Sequence, residues 1–145
     1  MTKMGAYLKG VRTFIMPPQQ QADATLSQAN PASGTKYTVL DTTPNARIIG
    51  ISVSVTWTVQ PTPLEIHVTI DGQTITYTIP NPVSAFKYLC ANDVREPESS
   101  QPIIDTANYM LMGAFLREGR SIKIEAETTG GTVSSLDARV KYAKW

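Results

Sequence analysis

From Ile49 to Val59 every odd position is apolar: Ile49, Ile51, Val53, Val55, Trp57 and Val59. Gly50, Ser52, Ser54, Thr56 and Thr58 fill the even positions. A period of two sustained this long predicts a β-strand with one face in a core and the other toward something polar. The β-branched and aromatic residue types agree, and the run contains no proline and no charge. A chain of 145 residues organised around such a strand can bury a real core in one domain.

The neighbouring segments repeat the pattern. Leu64, Ile66, Val68 and Ile70 alternate with polar residues, as do Ile75, Tyr77 and Ile79, and Asp71-Gly72 lies between them. Asp-Gly between two alternating runs is a strong short hairpin signal. A two-residue loop there pairs Ile70 with Gln73, Val68 with Ile75, Ile66 with Tyr77 and Leu64 with Ile79, which puts the apolar side chains on one face. Glu65, His67, Thr69, Thr74, Thr76 and Thr78 then share the other face.

Further along, Ile122, Ile124 and Ala126 alternate with Lys123, Glu125 and Glu127, and Leu136, Ala138, Val140 and Tyr142 alternate with Asp137, Arg139 and Lys141. Gly130-Gly131 marks a turn. A hairpin with the three-residue loop 129–131 would set Lys123 against Asp137 and Ile124 against Leu136, avoiding like-charge pairs. Tyr37 and Val39 form a short strand. Residues 83–91 read as an irregular strand, and 108–116 as a strand in preference to a helix. Pro61, Pro63, Pro80 and Pro82 break the chain between runs. The polar stretch 92–102 reads as an exposed loop.

These are eight strand candidates, near 35–40, 46–59, 64–70, 73–79, 83–90, 108–116, 121–128 and 134–143. One-face alternation with short connections predicts an all-β fold, an antiparallel β-sandwich of the eight-stranded jelly-roll kind, over residues 35–145. Residues 1–34 differ. Met4, Tyr7, Leu8, Val11 and Ile15 fall at helical spacing, Gly5 and Gly10 weaken a helix, and Pro17-Pro18 ends it. The Gln-, Ala- and Ser-rich stretch 19–34 reads as an extended or flexible linker. An N-terminal extended or part-helical arm is expected.

The chemistry-bearing residues are sparse. His67, the single histidine, sits among threonines, with no nucleophile and acid in a triad arrangement. There is one cysteine, Cys90, so no intrachain disulfide forms, and beside Tyr88 and Leu89 it reads as a small buried hydrophobe. No His-x-x-His, Cys-x-x-Cys, calcium-loop or phosphate-loop spacing occurs. Glu125 and Glu127 share a strand face with Lys123, and read as a solvated edge more than as an acid–base pair. No enzyme activity, metal or other cofactor, or small-molecule substrate is expected. A net charge of +1 offers no field for nucleic acid. Lys3, Lys9 and Arg12 would bind it only weakly. No run approaches the 18 apolar residues of a membrane span, and no signal-peptide run is seen.

The Ser/Thr-rich strand faces are the informative feature. Exposed strands usually carry Lys and Glu against association, and nearly uncharged ones suggest a surface covered by another subunit. Ser52, Ser54, Thr56, Thr58, His67 and Thr76 are the candidate sheet-face contacts. On the arm the candidates are Met4, Tyr7, Leu8, Val11, Arg12, Phe14 and Ile15.

The body, the arm and the phrases Thr-Val-Leu-Asp-Thr-Thr-Pro-Asn-Ala-Arg-Ile-Ile-Gly-Ile and Val-Thr-Ile-Asp-Gly resemble viral structural proteins, including capsid, decoration and head- or tail-appendage proteins of phages and related viruses. The resemblance implies a non-enzymatic virion protein made and assembled in the host cytoplasm. It also implies a homo-oligomer, trimer or pentamer, attached through its arm to neighbouring subunits and to another virion protein. The alternative is a carbohydrate- or receptor-binding module, for which Trp57, Tyr77, Tyr109 and Trp145 are the candidate aromatics.

Overall fold

The computed structural model describes residues 20–91, 109–111 and 118–145. The strands are β1 (Gln20–Ala29), β2 (Tyr37–Thr42), β3 (Ala46–Val59), β4 (Leu64–Ile70), β5 (Gln73–Ile79), β6 (Lys87–Ala91), β7 (Tyr109–Leu111), β8 (Glu118–Gly119), β9 (Ile122–Thr128) and β10 (Thr132–Lys144). They form two sheets. One runs β1-β10-β3-β6-β7 with β8 also on β3, and the other runs β2-β9-β4-β5.

The pairing order is that of a ribbon folded in half at Asp71-Gly72. From that turn outward, β4 pairs with β5, β3 with β6, β2 with β9 and β1 with β10, all antiparallel. The ribbon then closes on itself through β10·β3 in one sheet and β4·β9 in the other. Eight strands shared between two sheets in this order make a jelly roll. Asp71 (φ 49) and Gly72 (φ 83) are both left-handed, as a type I′ turn requires, and the hairpin has the expected register from Leu64↔Ile79 to Ile70↔Gln73.

The core lies between the sheets. Ile51, Val53, Val55, Leu136 and Val140 come from one side, and Leu64, Ile66, Val68, Ile122 and Ile124 from the other, all essentially inaccessible to solvent. Tyr88 is buried there too, and its hydroxyl accepts a hydrogen bond from the Val83 N–H at 2.7 Å. Tyr88→Phe leaves that backbone donor without this partner. A loss of about 1–2 kcal/mol in urea unfolding is expected, and unchanged stability would show that the bond contributes nothing net.

Four expectations are corrected. First, residues 122–128 and 132–144 do not form a hairpin. β9 pairs with β2 and β4, and β10 with β1 and β3, so residues 129–131 carry the chain from one sheet to the other. Lys123 faces Asp41 and Thr69, while Asp137 faces Ser54 and Ser27. Two strands whose apolar faces meet across a core alternate just as two strands of one hairpin do, and the turn glycines suit either path.

Second, Gln20–Ala29, placed by composition in a linker, is extended and paired along its whole length with β10. Ala24, Leu26 and Gln28 alternate as half-buried positions, but alanine is a weak strand signal. Third, the inward face of β3 is not odd-numbered throughout. A register irregularity opposite Lys141/Tyr142 makes Ala46 and Ile48 core residues, leaves Ile49 buried outside the core cluster, and returns the odd positions to the core from Ile51. Val59, at the far end, is 58% exposed.

Fourth, β6 begins only at Lys87. Residues before it turn, with Ala85 left-handed (φ 64) and its N–H on the Val55 carbonyl at 2.8 Å. The strand expected at 108–116 is seen at Tyr109–Leu111, parallel to β6 and not antiparallel. Residues 1–19 of the expected arm and linker, the loop 92–102 and the Cys90 side chain lie outside the described residues.

Candidate functional site

The outer faces of the two sheets are where this fold can meet a partner. Ser52, Ser54, Thr56 and Thr58 lie on the outer side of β3, in the larger sheet, whereas His67 and Thr76 lie on the outer side of β4 and β5, in the smaller one. The sandwich therefore separates the six residues onto opposite sides, and they make two surfaces, not one. Ser52 is buried, Ser54 is half-buried, and Thr56 and Thr58 are exposed.

The larger face is also less neutral than β3 by itself. Asp137, Arg139 and Lys141 of β10 stand directly beside Ser54, Ser52 and Gly50. Arg139 reaches across to Asp23 of β1 at 2.8 Å. The small β3 residues lie alongside a charged strip on β10.

On the smaller sheet the register gathers polar chemistry. β4 and β9 place Glu65 opposite Glu127 and His67 opposite Glu125, and β4 and β5 place His67 opposite Thr76. His67, expected as a sheet-face contact with another subunit, is buried within the chain at 6% exposure. Its Nε2 lies 2.8 Å from Glu127 Oε1 and 3.4 Å from Glu65 Oε2. Its Nδ1 lies 2.9 Å from Thr76 Oγ1. An ionised carboxylate only accepts, so in the neutral ring the Nε2 proton points at Glu127 and Nδ1 accepts the Thr76 hydroxyl proton. One ligand atom from each of Glu65, His67 and Glu127 falls within 4.8 Å of the others, so these three residues could hold a metal ion. Lys123 contacts Glu125 at 3.6 Å.

The sequence reading missed this cluster because Glu127 is 60 positions from His67. The available signal was the Glu-x-His on β4 and the Glu-x-Glu on β9, but their meeting depends on β4·β9 pairing, which no local feature of either strand specifies.

Two of the aromatic candidates for a glycan platform, Trp57 and Tyr77, pack against the core. Trp57 is half-buried against the core, and its indole N–H donates to the Pro82 carbonyl at 3.0 Å. Tyr77 also packs on the core, and Trp145 is half-buried. The Tyr109 side chain lies outside the described residues.

No protein-family model matches the chain, and no curated protein matches it. Among solved structures it is similar to the infectious bursal disease virus Gx strain, at 17% identity and TM-score 0.42, over 88% of this chain and 32% of that one. It is similar to the Gt strain of the same virus at 12% identity and TM-score 0.33, over 86% and 35%. It is similar also to a mutant VP2 protein of that virus in derived T=1 particles, at 20% identity and TM-score 0.31, over 86% and 31%. The chain spans about a third of the length of each of these structures.

Proposed function

We propose that this chain is a virion structural protein of the capsid, decoration or appendage kind, which oligomerises and fastens to neighbouring subunits through residues 1–19. The observation that carries the reading is where the arm is tethered. Gln20 opens β1, β1 is the outermost strand of the larger sheet, and Gln20 pairs with Lys144 at the end of the chain. We take the apolar-basic segment that precedes this edge strand to be what fastens the body to a neighbour. Sheet edges themselves offer unpaired backbone groups to a neighbour.

The side chains of Tyr7, Leu8, Val11, Phe14 and Ile15 are each worth about 1.5–3 kcal/mol when buried on a partner, less the cost of ordering the segment. Arg12 adds a charge-directed contact. The exposed Thr56, Thr58 and Thr76 are further contact positions on the two outer faces, and a trimer or pentamer is the assembly favoured. The test is deletion of residues 2–16. The body should keep its unfolding midpoint and β-sheet spectrum, while light scattering and particle-incorporation assays show loss of assembly. Normal incorporation of the truncated protein would refute the arm's role.

A further inference from the structure

We propose that Glu65, His67 and Glu127 form a binding site for a divalent transition-metal cation of the zinc type. The proposal is independent of the virion reading.

Three features of the cluster argue for it. The first is the donor set. One imidazole and two carboxylates on adjacent strands supply three ligand atoms within 4.8 Å of one another. Metal–ligand bonds of about 2.0–2.2 Å set tetrahedral ligands about 3.4 Å apart. The His67 Nε2–Glu65 Oε2 separation is 3.4 Å already. The 2.8 Å contact to Glu127 is a hydrogen bond, which has to lengthen by about 0.6 Å to reach the ligand spacing of a tetrahedral site.

The second feature is the orientation of the ring. Thr76 Oγ1 holds Nδ1, which directs Nε2 at both carboxylates. A metal-bound histidine is usually oriented through its other nitrogen, which donates; with a metal on Nε2 the ring proton sits on Nδ1 and the Thr76 hydroxyl turns to accept it. Thr76 is thus a positioning residue and not a ligand.

The third is charge. Glu65 and Glu127 are directly opposite in the β4·β9 ladder, with side chains only 27% and 14% exposed. Like charges facing one another across strands destabilise the pair. Among the described residues the basic partner recorded for both is His67, while the nearby Lys123 contacts Glu125. When a dication takes the Nε2 lone pair the ring stays neutral, its proton moving from Nε2 to Nδ1, and the two positive charges balance both carboxylates. The ion would clamp β4 to β9, with water in the fourth position on the outer face. The imidazole donor favours zinc-like ions over magnesium or calcium, which prefer all-oxygen sites.

The experiment is calorimetric titration of the chelator-treated full chain with ZnCl2, repeated with MgCl2. One zinc per chain, a raised melting temperature with zinc and no comparable response to magnesium are expected. Glu65→Gln and Glu127→Gln should each weaken zinc at least tenfold, and Thr76→Val should weaken it about tenfold while keeping the stoichiometry. Cys90→Ser should bind as the parent does. Absence of saturable zinc binding in the parent, or unchanged affinity in both glutamine variants, overturns the site. The two glutamine variants are isosteric and relieve a like-charge pair, so circular dichroism should show both folded.

Discussion

Gly131→Ala is expected to destabilise the protein by about 2–5 kcal/mol, whereas Gly130→Ala, one residue earlier, should cost about 1 kcal/mol. Both glycines are left-handed, with φ of +74 at Gly130 and +67 at Gly131, so both variants carry the steric penalty of that conformation. Their surroundings differ. A Cβ on Gly130 would meet nothing within 4 Å, but one on Gly131 would collide with the Val59 carbonyl oxygen and stand 2.6 Å from Gln60 C and Pro61 N.

Those atoms are backbone, and the chain around them is tied. Thr62 N–H donates to the Thr129 carbonyl at 2.7 Å, and Thr129 N–H donates to the Pro63 carbonyl at 3.2 Å. No flexible side chain can move aside. The exit of β3 and the crossing from β9 to β10 pass each other at this point, and the absence of a side chain on residue 131 lets them do so. Urea unfolding of the two variants measures the contrast. At roughly 2–4 °C per kcal/mol for a domain of this size, Gly131→Ala should also melt on the order of 10 °C lower. Equal losses in both variants would show that the crossing has slack.

Asp71→Ala should cost about 3 kcal/mol, and Asp71→Asn about 1 kcal/mol. Asp71 does more than form the turn at the fold's apex. Its Oδ1 accepts hydrogen bonds from the Arg120 and Ser121 N–H groups at 2.9 and 3.0 Å, and its own N–H donates to the Ser121 carbonyl at 3.0 Å. Alanine loses both carboxylate bonds, each worth about 1–1.5 kcal/mol at an exposed site, and is strained at φ 49. Asparagine tolerates that conformation and keeps an oxygen acceptor. The comparison separates the turn from the docking. Parity of the two variants would mean that the tie to residues 120–121 carries no net free energy.

The legibility of this chain follows the range of the interactions involved. Strands β4 and β5 are readable down to their register because two left-handed residues and two alternating runs lie within 16 residues. The alternation in β3, β9 and β10 is equally plain, and each of these elements exists. Partnership is a different matter. An apolar face at even positions in β9 and β10 satisfies a hairpin and a crossing between sheets equally, and local chemistry does not rank the two. The phase of β3 changes at an irregularity near Ile49 whose cause lies in its pairing with β10. β1 escapes notice because its half-buried positions, Ala24, Leu26 and Gln28, include only one strongly apolar residue, and its stability comes from a partner more than 100 residues away.

The candidate contact residues divide in the same way. Ser54, Thr56 and Thr76 are polar and outward by periodicity alone, but which outward face each belongs to depends on sheet assignment. The charged neighbours that β10 brings to β3 depend on it too. The glutamates on either side of His67 are a product of β4·β9 pairing, and either glutamate alone is an ordinary polar residue on a strand.

By itself the sequence determined the class of fold, the seam of the central hairpin and most of the core. Those depend on period-two burial and on turn residues that act over a few positions. Only the tertiary structure decided which strands pair to close the jelly roll, that residues 129–131 cross between sheets, and that Glu65, His67 and Glu127 meet. Strand pairing is a choice among surfaces of nearly equal local preference, and that choice is made by how all of them pack around one core.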